Sequence, residues 1–160
     1  MTDWAVKAAF AERHEGLRTL LKAMHDPQQR LTWIVDRSRA RAPISAELRS
    51  DDRLVPGCAA RLWLVTGCEN GRCAFACDSD SAILKAAAGL LCELYDGLSA
   101  AEVVDGEPTF LGDCGLLVQF TENRRRTIAK VREAIRAFAT GQVQVQGQGR
   151  FQESGQVQGP

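Results

Sequence analysis

The sequence predicts an α+β domain in which helices enclose a small antiparallel sheet, made of a β-hairpin plus a short strand. Apolar residues recur at helical spacing towards both ends of the chain, and two strand-like runs flank an Asn-Gly pair between them. The 160 residues, of which 45% are hydrophobic, are enough for one folded core. We therefore expect a single domain over residues 1–140.

Two helices are expected before the sheet. In residues 1–25 the apolar side chains follow one helical face, with a weak interruption at Gly16. Asp26 followed by Pro27 is typical of a helix start, and this second helix is predicted to continue to about Ser38. The apolar face of the first helix consists of Val6, Phe10, Leu17, Leu20, Leu21 and Met24.

The predicted hairpin pairs residues 61–66 with residues 72–77, and Asn70-Gly71 supplies its turn. Just before it, the short apolar segment 53–58 is stopped by Pro56-Gly57, a pair that breaks both helix and strand. This break is expected to place Cys58 on a tight, protruding turn.

Two further helices are predicted directly after the hairpin. Residues 81–95 have helical spacing, and Asp80 or Ser79 is expected to cap their first turn. Ser99 and Glu102 have the spacing of a capping box, which indicates the start of a short helix.

The end of the chain divides into two kinds of sequence. A last helix is predicted from about Thr121 to Thr140, with a buried face formed by Ile128, Val131, Ile135 and Phe138. Residues 141–160 are Gly or Gln at 12 of 20 positions and contain few apolar groups. Such a segment cannot offset the entropy of ordering, so we expect a disordered tail.

The charge balance and the apolar runs exclude several classes of protein. Lys plus Arg number 20 and Asp plus Glu number 20, so no overall field favours nucleic acid or a membrane surface as a partner. The first residues are charged where a secretory signal is apolar, and no apolar run approaches the roughly 20 residues of a membrane span. We expect a cytoplasmic protein whose six cysteines are thiols.

A resemblance to a known family rests on seven short motifs, which are residues 54–58, 61–65, 78–80, 83–85, 94–95, 110–111 and 121–124. These motifs resemble those of the SufE family of cysteine desulfuration proteins. The resemblance spans roughly residues 20–139 and implies a compact α+β fold of the SufE/IscU-like type. It also implies a protein that accepts persulfide sulfur from a SufS-type cysteine desulfurase, raises that partner's turnover and supplies sulfur for iron–sulfur cluster assembly.

By this resemblance Cys58 is the persulfide acceptor. Arg124 matches a family arginine and lies on the buried face of the last helix, so it is either a supporting cation near Cys58 or a first-turn arginine that hydrogen-bonds a loop or an acidic residue. Pyridoxal phosphate is expected only in the partner desulfurase, so the chain itself needs no cofactor and no metal. A downstream iron–sulfur scaffold complex is the implied recipient, which makes this a sulfurtransferase-like carrier rather than an enzyme in its own right. The residues expected to contact the partner are Pro56, Gly57, Ala59, Arg61 and Asp80.

The chain departs from the family pattern in two places, directly after Cys58 and around the start of the last helix. Ala59-Ala60-Arg61 stands where the family commonly has Gln-Ser-Gln after the acceptor cysteine. Near the last helix, Gln119, Glu122-Asn123 and Thr127 replace the family's His, Pro-Ser and Gly. The sequence is therefore that of a divergent member.

Two other functions stay open on the sequence alone. A U-type iron–sulfur scaffold would need about three converging thiolates, for which Cys58, Cys77 and Cys114 are candidates. A zinc-stabilised binding module would use the C-x4-C-x3-C spacing of Cys68, Cys73 and Cys77. Packing in the core is the simpler role for these hairpin cysteines and for Cys92. Cys114 is expected on a surface turn, either as an incidental thiol or as a second thiol that carries sulfur onward.

Overall fold

The computed structural model describes residues 4–157, with side chains as far as Val145. Within that range helices surround a two-stranded antiparallel sheet, which confirms the predicted α+β class. The elements in chain order are α1 (Phe10–Lys22), α2 (Pro27–Ala40), β1 (Leu62–Glu69), β2 (Arg72–Ser79), α3 (Ala82–Tyr95), α4 (Ala100–Asp105), α5 (Phe110–Asp113), α6 (Leu116–Gln119) and α7 (Glu122–Val157).

The predicted first helix is divided in two. A 3-10 turn over Trp4–Val6 precedes α1, and Val6 is 71% exposed instead of lying on the buried face. Trp4 is buried and folds back onto α1, where a Cβ added to Gly16 would lie 2.8 Å from the Trp4 Cβ. Gly16 therefore does not interrupt the helix but makes room for the tryptophan.

The local start and turn signals are confirmed. Asp26 Oδ1 accepts a hydrogen bond from the Gln28 N–H at 3.0 Å, and Pro27 is the first residue of α2. Asn70 and Gly71 have φ angles of 55° and 76°, which are the left-handed conformations of a two-residue hairpin turn. The β1–β2 register runs from Leu62 opposite Ser79 to Glu69 opposite Arg72.

The short third strand is present only as single bridges. Within the described residues, Leu54 pairs with Trp63 and Arg72 pairs with Ser99, outside the two named strands. The segment before the hairpin is thus attached to the start of β1 by one bridge. That bridge fixes the base of the loop that contains Cys58.

Helix α3 is the centre of the fold. It packs on β2 and is contacted by α2 and α7, and residues 86–92 are all buried. Its cap is Ser81, whose Oγ accepts from the Leu84 N–H, and not Asp80 or Ser79 as predicted. Ser79 instead accepts the Ser81 N–H at 3.1 Å, one step earlier in the same turn.

Only half of the predicted capping box forms at α4. Ser99 Oγ accepts from the Glu102 N–H at 3.3 Å, as the spacing predicts. The Glu102 carboxylate accepts from the backbone N–H of Phe10 at 3.0 Å, so it ties α4 to the first turn of α1. Glu102 therefore makes a tertiary contact with Phe10 instead of the local bond of a capping box.

Helix α7 buries Ile128, Val131 and Ile135 as predicted, and it continues beyond Thr140. The predicted disorder of residues 141–160 therefore differs from the structure, which gives residues 141–157 as helix and leaves 158–160 outside the described residues. Val143 and Val145 are exposed, and a Cβ on Gly141 would meet nothing within 4 Å. A helix gains most of its stability from packing against the rest of the protein. That the fold does not depend on residues 141–160 stays a prediction.

Candidate functional site

Cys58 lies on a loop at the edge of the sheet, formed by residues 55–62 and called the Cys58 loop below. The Val55 N–H donates to the Leu62 carbonyl at 2.9 Å, and the Leu54–Trp63 bridge lies just outside this bond. The backbone thus leaves and re-enters the sheet at one place. The position of the loop is fixed by its two ends.

The tip of the Cys58 loop faces solvent. Pro56, Gly57 and Ala59 are exposed, and Cys58 is half-buried with one side against the core. Gly57 has a φ angle of 78°, a conformation that costs a residue with a side chain about 1–2 kcal/mol. The Pro-Gly turn therefore places Cys58 next to an exposed tip while the residue packs against the core.

Lys130 on α7 holds the tip of this loop, although the sequence did not indicate it. Its ammonium Nζ donates to the Gly57 carbonyl at 2.7 Å. A Cβ added to Gly57 would collide with the same Nζ. The contact joins residues 73 positions apart, so no local pattern could have revealed it.

Arg124 occupies a different part of α7. It is half-buried, its N–H donates to Thr121 Oγ1 at 3.3 Å, and its guanidinium has no hydrogen bond or ion pair with any described residue. It precedes Lys130 by six residues, a separation of about 9 Å along a helix and about 120° around it. Its predicted supporting role at Cys58 stays a prediction.

Arg61 and Asp80 form an ion pair at the base of the Cys58 loop. Arg61 Nε lies 2.8 Å from Asp80 Oδ2, and the Asp80 N–H donates to the Arg61 carbonyl at 3.1 Å. The guanidinium also stacks over Trp63, 5.2 Å from the ring centroid. Two predicted partner-contacting residues are thus brought together, and both are largely exposed.

A second acidic group lies beside this pair, on the buried side. Asp78 accepts from Arg49 Nε at 2.6 Å and lies 3.4 Å from Lys85 Nζ. Burial alone would raise the pKa of Asp78, but the bonds from Arg49 and from the Ser79 N–H, together with Lys85, lower it. The carboxylate therefore stays charged and connects the segment before the loop to β2 and α3.

Three of the other five thiols are buried. Burial raises the pKa of Cys73 to about 11 and also raises the pKa of Cys114. Cys92 is buried too, as its helical position predicts. Cys114 is 5% exposed, so the expectation of a surface thiol there was wrong: its turn folds inward against the core.

The cysteines of the zinc and scaffold alternatives do not converge. Cys68 and Cys73 are opposite each other across the hairpin. Cys77 is four residues further along β2 than Cys73, a distance of roughly 13 Å in a strand. In the part of the chain that the structure describes, no three His, Cys, Asp or Glu residues lie together as a metal site would require.

Fold and loop together define a class: a small α+β domain that presents a thiol on a tight turn at the edge of a hairpin. The sequence profile described as "SufE: Fe-S metabolism associated domain" matches residues 15–139, most of the chain. The chain belongs to the SufE family, whose domain is associated with iron–sulfur metabolism.

Individual relatives are distant. The chain is 27% identical over 99 residues to a SufE-like protein of Synechocystis sp. strain PCC 6803, a match that covers 62% of each chain. It resembles the solution structure of a hypothetical protein from Thermus thermophilus, with a TM-score of 0.69, 20% identity, and coverage of 82% of this chain and 96% of the other. The latter likeness supports the fold alone.

Among the described residues, no helix combines the length and the apolar character that crossing a membrane requires.

Proposed function

We propose that Cys58 accepts sulfur from the persulfide of a cysteine desulfurase and passes it on for iron–sulfur cluster assembly. The observation that carries the proposal is the Cys58 loop itself, where a half-buried thiol is surrounded by the exposed residues Pro56, Gly57 and Ala59. A partner's persulfide must come within bonding distance of the acceptor thiol, so access decides which thiol reacts.

The transfer is a thiol exchange without net oxidation. The Cys58 thiolate attacks the terminal sulfur of the partner's R–S–SH, a new S–S bond forms, and the partner's R–S⁻ leaves. Cys58 then carries S–SH, and an acceptor thiolate removes the terminal sulfur in the same way. Because the partner's cysteine is emptied at each cycle, its turnover is expected to rise.

Contacts around the Cys58 loop suggest what the partner recognises. Pro56, Gly57 and Ala59 supply a flat, uncharged tip, and the Arg61–Asp80 pair supplies one charge of each sign at its base. An Ala-Ala-Arg sequence follows where the family commonly has polar residues. We propose a SufS-type desulfurase as the donor and an iron–sulfur scaffold complex as the recipient, with pyridoxal phosphate confined to the donor.

The decisive experiment combines the reduced full-length protein with a SufS-type desulfurase and free cysteine. Intact mass and peptide mapping then locate any added sulfur. We expect sulfur on Cys58, none in Cys58→Ser, and unchanged loading in the matched control Cys68→Ser, whose thiol is also half-buried but lies on β1. Loading or desulfurase stimulation retained by Cys58→Ser would overturn the proposal.

A further inference from the structure

Two thiols outside the Cys58 loop face each other across the contact between β2 and α3. Cys77 is half-buried near the end of β2, with its Sγ 4.0 Å from the Lys85 carbonyl, and Cys92 is 4% exposed in the last turn of α3. Both residues line the same cavity, and both are free thiols. We call these two residues the thiol pair.

A small cavity reaches the thiol pair from the surface. It has a volume of about 100 Å³ and is lined by both cysteines together with Arg41, Lys85 and Gly89. A water molecule needs only some 10–15 Å³ of such space, so a small polar reagent such as a peroxide fits beside the sulfurs. Cys77, the more exposed of the two, is the thiol that such a reagent meets first.

Two cations, Arg41 and Lys85, line the cavity beside Cys77, together with the carboxylates of Glu93 and Asp96. The Arg41 guanidinium lies over Gly89, so closely that a Cβ on this glycine would collide with it. Its Nε bonds Glu93, whereas its Nη2 is buried and has no hydrogen-bond partner among the described residues. An unpaired buried N–H of a cation favours an anion nearby, and a thiolate would supply one.

The electrostatics distinguish the two sulfurs. The hydrogen bond from the Cys92 thiol lowers the pKa of Cys77, and Arg41 and Lys85 lower it further against burial and the charge of Asp78. The same hydrogen bond, burial and the charge on Cys77 raise the pKa of Cys92. Together with its greater exposure, the lowered pKa favours Cys77 as the thiol of the pair that reacts first.

We propose that the thiol pair is a peroxide-sensitive site, in which oxidation of Cys77 is resolved by Cys92 as a disulfide linking β2 to α3. The Cys77 thiolate attacks one oxygen of hydrogen peroxide, the O–O bond breaks, hydroxide leaves, and Cys77 becomes a sulfenic acid. Cys92 then attacks that sulfur, the S–O bond breaks, and an S–S bond forms. The Cys92 proton and the hydroxyl group leave as water, so two thiols are oxidised and one peroxide is reduced to two waters.

The pair Cys68–Cys73 provides an internal comparison. These residues are direct neighbours across the hairpin, so geometry alone would also permit a disulfide there. Burial raises the pKa of Cys73 to about 11, with a further contribution from the Cys68 thiol, and no cation is among the causes of that shift. Neither Cys68 nor Cys73 lines the cavity that reaches Cys77, so peroxide should select the Cys77–Cys92 pair.

The test uses the full chain with Cys58→Ser, so that the loop thiol does not compete, and equimolar hydrogen peroxide. Non-reducing peptide mapping should find a Cys77–Cys92 link, reversed by dithiothreitol, in protein whose circular dichroism is unchanged. With Cys92→Ala added, dimedone should label Cys77 as a trapped sulfenic acid. A link confined to Cys68–Cys73, or no link in folded protein, would overturn the proposal.

A second pair of variants tests the role of the cavity. Arg41→Met should slow formation of the link severalfold, because loss of the cation reduces the thiolate fraction of Cys77. Arg37→Met also removes an ion pair with Glu93, but Arg37 itself does not line the cavity, so this variant should slow the link less than Arg41→Met. Equal rates in the two variants would contradict a cavity-based mechanism. Sulfur loading of Cys58 is measured separately as added mass, so either proposal can fail alone.

Discussion

Cys58 and Cys92 pack against the same hydrophobic core, but different contacts hold them. The Cys58 loop is attached through backbone bonds at its ends and one lysine–carbonyl bond at its tip. Cys92 lies in the interior of α3 with its thiol against Cys77. Replacing the Cys58 thiol should therefore alter chemistry with little effect on stability, whereas replacing Cys92 should affect both.

The largest expected difference comes from replacing each sulfur by oxygen. Cys92→Ser buries a hydroxyl at a position that is only 4% exposed and should lower the free energy of unfolding by about 1–3 kcal/mol. Cys58→Ser, on a partly exposed loop, should lower it by less than about 0.5 kcal/mol. Urea unfolding of the two variants measures both values, and equal losses would remove the distinction between the regions.

A glycine substitution should break the Cys58 loop without touching the thiol pair. Gly57→Ala forces a side chain into the left-handed region and against Lys130, so it should cost about 1–2 kcal/mol. Sulfur acceptance should fall by roughly tenfold or more because the thiol is misplaced. The control is Gly67→Ala on β1, where a Cβ meets nothing within 4 Å. Normal loading by Gly57→Ala would show that the turn geometry is dispensable.

The Lys130 ammonium on α7 provides a second test of the Cys58 loop. Lys130→Met keeps the aliphatic stem but deletes the donor to the Gly57 carbonyl, so it should cost about 0.5–1.5 kcal/mol and slow sulfur acceptance. Lys130→Arg should restore much of the loss. Arg126→Met on the same helix removes an exposed pair with Glu122 and should behave as the wild type in the loading assay.

A third region, around His14, can be tested by lowering the pH. His14 Nε2 accepts the Phe110 N–H at 2.9 Å, so the folded protein needs the neutral ring. Burial lowers the pKa of His14, and Arg18 lowers it further against Asp113 and Glu15. As the pH falls, His14 is protonated more readily in the unfolded chain than in the folded protein. The free energy of unfolding therefore decreases as the pH drops below about 6.5.

Two variants and two pH values isolate this effect. The wild type should lose more unfolding free energy than His14→Gln between about pH 7.5 and about pH 5.5, because Gln keeps an acceptor oxygen without titrating. The lowered pKa of Asp78 confines its own contribution to more acidic solution. Parallel pH profiles would show that His14 does not couple to folding.

The smallest effect is expected at the end of α7. Truncation after Thr140 should change the midpoint of thermal unfolding little and leave sulfur loading intact, since Val143 and Val145 are exposed. A loss of more than about 1 kcal/mol would show that residues 141–160 stabilise the domain.

The sequence could predict what local chemistry determines. Asn70-Gly71, Asp26-Pro27 and Ser99 each specify a turn or cap within a few residues, and each formed as expected. The position of Cys58 on a turn followed from Pro56-Gly57 for the same reason. These signals depend on backbone conformations that few residue types adopt.

The rest depends on which surfaces meet in three dimensions. Lys130 reaches a loop 73 positions away, and Glu102 leaves its capping box for Phe10, a residue on another helix. Cys77 and Cys92 come together only because one face of β2 packs on one face of α3. Periodicity indicates that these faces are buried, but not which residues lie opposite one another.

The bond between Lys130 and Gly57 also has a consequence for the order of folding. The contact spans 73 positions, and α7 is synthesised after every other element named here. Until α7 docks, the Pro-Gly tip lacks its long-range support, even if the hairpin and α3 have already formed. A nascent chain that lacks α7 therefore presents the Cys58 loop without the contact that holds its tip. A desulfurase that recognises the held tip would distinguish a finished protein from one still being made.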